Sequence, residues 1–228
     1  FAGFKVSGFR SLDRFTLPLQ FGVNALVGPN GAGKTNALEA ISFAGAVVSG
    51  SLETAFAQHG GVSSIFARTS DGDFRNSMRF TVSGLVAARS RDKSTKQNVF
   101  LGYDYSFSIR LGAGLKPYIH KQVFELNDLT DAILNGEAID SEPRVVFSIK
   151  EEKRNNFRIH IFDENKVGAM SIRAGESGKI KPKLMERLRE RQWGGETLLE
   201  ALSPFMHAAH RVRRSSADIR LLSVVPGK

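Results

Sequence analysis

The chain has 228 residues, 41% hydrophobic and 24% charged, an ordinary globular balance with enough apolar material to bury a core. It has no cysteine, which excludes disulfides and thiolate metal sites and fits a reducing cytoplasm, and its longest apolar candidate, residues 44–48, is far too short to span a bilayer. The formal charge of +9 exceeds what one bound nucleotide would neutralise and suits a polyanionic partner, nucleic acid being the first expectation.

Residues 1–9 alternate loosely and read as a strand, with no basic-then-apolar leader and Phe1 in place of Met, as expected of a piece of a longer chain. A turn through Arg10, Ser11, Leu12, Asp13 and Arg14 leads to a second strand over 15–21, which Pro18 places at a sheet edge. A third strand is expected over 23–27, from Val23, Ala25, Leu26 and Val27. It enters Gly28-Pro29-Asn30-Gly31-Ala32-Gly33-Lys34-Thr35, a complete G-x-x-x-x-G-K-[ST] pattern, and the helix-forming run Asn36-Ala37-Leu38-Glu39-Ala40-Ile41 leaves it. That order of strand, loop and helix is what polyphosphate binding needs. Glycines let successive backbone N–H groups converge on phosphate oxygens, and the helix directs its positive end at them. Lys34 can reach the β- and γ-phosphates, and the Thr35 hydroxyl can ligate Mg²⁺. The helix carries Ala37, Leu38, Ile41 and Ala44 at helical spacing and fades near Gly50.

The middle of the chain reads as strands: 78–85, then a polar basic loop over 88–98, then the period-two run Leu101, Tyr103, Tyr105, Phe107, Ile109 and Leu111. After the turn Gly112-Ala113-Gly114, residues 117–126 return, followed by Val145/Phe147/Ile149 and Phe157/Ile159/Ile161. Neighbouring strands with short turns imply antiparallel pairing. The last quarter turns helical, with Leu184, Leu188 and Trp193 on one apolar face and Leu198, Leu202, Phe205 and Met206 on another, before a strand over 219–225. The 17 phenylalanines sit at strand spacing and read as core.

The loop G-P-N-G-A-G-K-T-N, the preceding Phe4–Leu12 sequence F-K-V-S-G-F-R-S-L and the helix N-A-L-E-A-I together resemble the start of ABC-type ATPase heads. The likeness is to the RecF, SMC and OLD group and the bacterial predicted ATPases allied to them. It is specific over residues 1–45, and His59-Gly60-Gly61-Val62 and Ser203-Pro204-Phe205 are similar in a weaker way. The resemblance implies an α/β fold: a P-loop ABC-type core with an interleaved antiparallel β layer and a C-terminal helical part. It implies one incomplete ATPase domain over 1–228, with a nucleotide-binding lobe at 1–180 and a helical segment plus the start of a strand at 181–228. It also implies ATP and Mg²⁺ as cofactors, with Asn30, Gly31, Ala32, Gly33, Lys34, Thr35 and Asn36 on the phosphates, Arg10 and Ser11 near the nucleotide, and Thr35 on the metal. Two heads would close on the nucleotide as a homo-oligomer, in DNA repair or anti-phage defence, with nucleic acid or a nuclease or other effector protein as partner.

Such heads also need a signature resembling L-S-x-G and an apolar strand ending in Asp-Glu. Ser171 to Gly178 is the nearest Ser/Gly cluster and lacks the signature's form. Asp163-Glu164 follows the alternating run 157–162, where Arg158 and His160 interrupt what should be apolar throughout, and Asp-Glu-Asn-Lys reads as hairpin-turn chemistry. The catalytic residues are therefore not assigned, and the sequence is expected to stop short of both motifs. If it does not, ATP would instead be a structural ligand of a scaffold that regulates a nuclease or other effector. His207 and His210 read as helix-surface histidines, and Ser215-Ser216 carries no triad logic. The basic groups Arg89/Arg91/Lys93/Lys96, Lys179/Lys181/Lys183 with Arg187/Arg189/Arg191, and Arg211/Arg213/Arg214 together point to nucleic acid, although each alone reads as a solvated face.

Overall fold

A computed structural model describes residues 2–20, 22–89, 98–136, 144–153, 156–161, 173–174, 179–180, 182–190, 196–204 and 206–217. Strand β1 (Gly3–Ser7) alternates buried Phe4 and Val6 with exposed Lys5, so one face of the sheet it joins is apolar and the other polar. The period holds through β3 (Ser77–Arg89), β4 (Asn98–Leu111), β5 (Pro117–Asp128), β6 (Arg144–Lys153) and β7 (Asn156–Ile161). With β2 (Phe15–Pro18) these form a seven-stranded sheet in the order β2-β1-β3-β4-β5-β6-β7, every pairing antiparallel. The antiparallel layer and the edge position of Pro18 agree with the sequence reading, as does the mixed α/β class. A short pair, β8 (Arg173–Ala174) and β9 (Lys179–Ile180), stands outside the sheet.

The apolar face buries phenylalanines as a contiguous aromatic seam. Phe43 of helix α1 (Lys34–Ser49) meets Phe9, Phe56 and Phe80 at ring-centroid distances of 5.7, 5.2 and 5.6 Å, and Phe80 stacks on Phe107 at 5.1 Å. Truncating a ring of this kind to Ala removes about 3–5 kcal/mol. Helix α1 is therefore held on the sheet through Phe80 of β3 and Phe9 just beyond β1. Beside it lie α2 (Leu52–Gln58), whose cap Ser51 accepts from Thr54 N–H at 3.2 Å, and the single turn α3 (Val62–Ile65). None of these short helices, nor α4 (Thr130–Asn135), is legible in the apolar periodicity. The C-terminal helices α5 (Pro182–Glu190), α6 (Leu198–Leu202) and α7 (His207–Ala217) bring Leu184, Leu188, Leu198, Leu202 and Met206 into the same core. Helix α7 packs on α1 and β3, and buried Gln122 of β5 accepts from Leu198 N–H at 2.8 Å at the start of α6.

The expected strand over 23–27 is not a strand. Val23 and Val27 are 98% and 92% exposed, and the segment runs as irregular chain into the glycine-rich loop. It joins no described strand: the seven-stranded sheet ends at β2, whose outer edge residues 23–27 leave unpaired. Instead Asn24 braces its own turn, its Oδ1 accepting from Gln20 N–H and its Nδ2 donating to Gln20 O, both at 2.8 Å. The expected strand over 219–225 and the pair Asp163-Glu164 lie outside the described residues, as does most of the 171–178 cluster.

Candidate functional site

The glycine-rich loop wraps the start of α1. Gly31 and Gly33 take φ of +82° and +85°, a left-handed backbone that a side chain would strain, and Gly33 caps the helix. Among the described residues no side chain accepts from the first N–H groups of α1, and its first turn carries no acidic residue. A 16-residue helix thus presents unsatisfied donors and the positive end of its dipole at the loop. Lys34 Nζ folds back over the same loop and donates to Gly28 O and Pro29 O, both at 2.7 Å. Its partners are carbonyls of the loop, with no ion pair to a described carboxylate, so its charge remains available to an anion. Asn30, Gly31, Ala32 and Thr35 are exposed around it, and Gly33, Lys34 and Asn36 are half-buried.

The turn after β1 packs against this loop. Asn36 Nδ2 donates to Ser11 Oγ at 2.7 Å, and Arg10 Nη1 donates to Asn36 Oδ1 at 3.4 Å. Arg10 also donates from Nε to Ser64 O at 2.9 Å, and its Nη1 forms an ion pair with Glu39 one turn along α1. Its own backbone is left-handed, at φ +47°, which the hydrogen bond from Arg10 N–H to Ile65 O at 2.8 Å holds in place. The structure therefore brings Arg10, Ser11 and Asn36 together at the end of the loop that carries Lys34 and Thr35. Glu39 and Ser64, which complete this knot, were not singled out for it: their contacts cross 29 and 54 positions, and no local pattern marks them. His59 lies beside it, its ring edge-on to Phe43 at 5.6 Å, and burial lowers its pKa below the usual imidazole value, with Arg10 adding to the shift and Glu39 opposing it.

A triphosphate fits this arrangement by three features of the chain itself: uncapped helix donors, two glycines in left-handed turns, and a lysine paired with no described acid. Among the described residues no group of His, Asp and Glu could hold a metal unaided, and Thr35 is exposed at the start of α1 beside the loop. His210 is exposed on α7, and the His207 side chain lies outside the described atoms. Of the basic groups, Arg187 pairs with Glu196, Arg213 reaches Glu200 at 3.4 Å, and Arg211 and Arg214 are exposed on α7. Arg91, Lys93, Lys96, Lys181 and Arg191 lie outside the described residues. No helix among the described residues is long and apolar enough to cross a membrane.

A family model described as an AAA domain matches residues 4–192, which include the β1 turn, the glycine-rich loop and all of the antiparallel sheet but Gly3. No curated protein matches the chain.

Proposed function

Since the chain belongs to the AAA domain family of nucleotide-binding P-loop ATPases, we propose that it binds Mg-ATP at the start of α1 and acts as one head of a RecF/SMC/OLD-like ATPase. The observation that carries this reading is the unneutralised Lys34 folded over an uncapped helix start. Backbone N–H groups of residues 31–35 would hold the phosphates, Lys34 would exchange its two loop carbonyls for β- and γ-oxygens, and the Thr35 hydroxyl would ligate Mg²⁺. The metal supplies charge neutralisation on those oxygens. Asn36 and Ser11 fix the turn that holds Arg10, and Arg10 is kept beside the loop by Glu39 and Ser64 O. A guanidinium so placed can move a short distance onto a phosphate, with Glu39 as its resting partner.

In this reading two heads associate around the bound nucleotide, in a complex that serves DNA repair or anti-phage defence. The alternative is a scaffold in which ATP is a structural ligand and the surface recruits a nuclease or other effector. Sedimentation velocity with Mg²⁺ and a non-hydrolysable ATP analogue separates the readings. A head assembles only with nucleotide, and Lys34→Ala abolishes that assembly. The same assembly with and without nucleotide favours the scaffold, and a monomer under all conditions contradicts nucleotide-gated association.

A further inference from the structure

The face of the sheet turned away from α1 carries a feature that the nucleotide site does not use. Ser7, Arg79, Ser108 and Lys121 stand directly opposite one another across β1, β3, β4 and β5. Beside this row a depression of about 300 Å³ is lined by the same four residues with Arg110 and His120. The register shifts here: Ser108 faces Lys121 while Ile109 faces Ile119, leaving His120 as the extra residue of a β-bulge. Without the bulge, alternation would send His120 and Lys121 to opposite faces. With it, both line one depression beside Arg110, while Ile109 and Ile119 stay in the core.

The next row is Lys5, Thr81, Ser106, Val123 and Lys150, again residue opposite residue across five strands. Lys5, Arg79, Arg110, Lys121 and Lys150 are exposed, and none forms an ion pair with a described residue. On the strands the acids of this face begin one row further on and already accept from hydroxyls, Asp104 from Ser83 at 2.5 Å and Glu125 from Ser148 at 3.1 Å, while off the strands Asp71 and Asp73 line the adjoining depression that shares Ser7 and Ser77. Along β1, β3, β4 and β5, cations and hydroxyls therefore fill the end of the face at which β1 leaves for the Arg10 turn. His120 responds to this setting: burial, then Arg110 and Lys121, hold its pKa below the usual imidazole value, and the Tyr118 ring meets it edge-on at 6.2 Å.

We infer that this end of the outer sheet face binds the phosphodiester backbone of a nucleic-acid strand. Strands lie about 4.8 Å apart, so Lys5 to Lys150 spans roughly 19 Å, a length that suits several successive phosphates and exceeds a single phosphate group. Serine and threonine hydroxyls between the cations supply neutral donors to phosphate oxygens without reading base identity. The site does not depend on the ATP reading, since no residue of the glycine-rich loop belongs to it.

The test is fluorescence anisotropy with a labelled oligothymidylate over a salt series, using the intact chain. Wild-type protein binds, with affinity falling steeply in salt. Replacing Arg79→Ser with Lys121→Gln removes two phosphate contacts, which lowers the log–log salt slope by about 1.4 and the affinity at ~0.1 M salt by about 25-fold. Arg211→Ser with Arg214→Ser on α7 leaves binding unchanged. Circular dichroism and Mg-ATP binding report folding, and Lys5→Gln with Lys150→Gln serves as an independent second pair. Wild-type protein that captures no oligothymidylate, or that takes up inorganic phosphate alone, overturns the inference. So does binding that survives both sheet pairs or is lost only in the α7 pair.

Discussion

Replacing Gly33 by Ala separates the cost of folding this loop from the cost of using it. Gly33 caps α1 at φ +85° and ψ +10°, and a Cβ there would meet Leu12 Cδ2 at 3.7 Å and Ser11 Oγ at 4.0 Å. Both are ordinary van der Waals distances, so no clash adds to the penalty. What remains is the left-handed backbone, about 1–2 kcal/mol for a residue with a side chain, or roughly 2–8 °C in Tm for a chain of this size. Gly8 is the contrast. Its φ is similar, +80°, but a Cβ would sit 2.7 Å from Ser77 O and 3.3 Å from Met78 Cα, backbone that cannot step aside without moving β3. Gly8→Ala therefore adds overpacking of about 1–3 kcal/mol to the same strain. Scanning calorimetry of the nucleotide-free proteins should rank wild type above Gly33→Ala and Gly33→Ala above Gly8→Ala. Titration with Mg-ATP should invert the emphasis, with Gly33→Ala losing affinity at least tenfold, about 1.4 kcal/mol, because relief of the strain turns loop amides away from the phosphates. Equal destabilisation by the two substitutions, or full nucleotide affinity in Gly33→Ala, would refute the reasoning.

Gly84→Ala should cost about 1–3 kcal/mol in chemical denaturation, since a Cβ would lie 2.6 Å from the Tyr103 ring, which is buried in the core; unchanged stability would mean the ring is free to turn aside. Burial lowers the His59 pKa, so the unfolded chain takes up its proton first and stability falls as pH drops below the usual value of 6.5 toward the lowered folded value. Thermal melts from neutral to mildly acid pH should show a steeper loss for wild type than for His59→Gln, and equal slopes would remove His59 from the account. Arg10→Ala should weaken Mg-ATP binding severalfold while Glu39→Gln, which frees the guanidinium, should not; equal losses in isothermal titration would assign the pair a purely structural role.

The glycine-rich loop was legible because its chemistry is local: consecutive residues supply the left-handed glycines, the lysine and the helix start. The antiparallel sheet was legible too, since Leu101 to Leu111 and its neighbours repeat with period two whatever they pair with. Residues 23–27 misled for the complementary reason. Their pattern suits a strand, but a strand also needs a partner across hydrogen bonds, which no local pattern specifies, and no described strand pairs with them. Helix α2 left a faint mark, Ser51 capping Thr54 with Glu53 in the first turn, which apolar periodicity alone passes over. The cation-lined depression is invisible in sequence because Arg79, Arg110 and Lys121 meet only across strands, and the bulge that turns His120 and Lys121 to one face has no local signature. Arg10, Ser11 and Asn36 were named from resemblance and stand in one hydrogen-bonded knot, and its anchors Glu39 and Ser64 emerge only from packing.

Equilibrium binding of Mg-ATP to the wild-type chain, with Lys34→Ala beside it, tests the central claim most directly. The account predicts one saturable site that requires Mg²⁺ and is lost in Lys34→Ala at unchanged thermal stability of the nucleotide-free protein. Absence of binding in wild type, or binding that Lys34→Ala leaves intact, would contradict it.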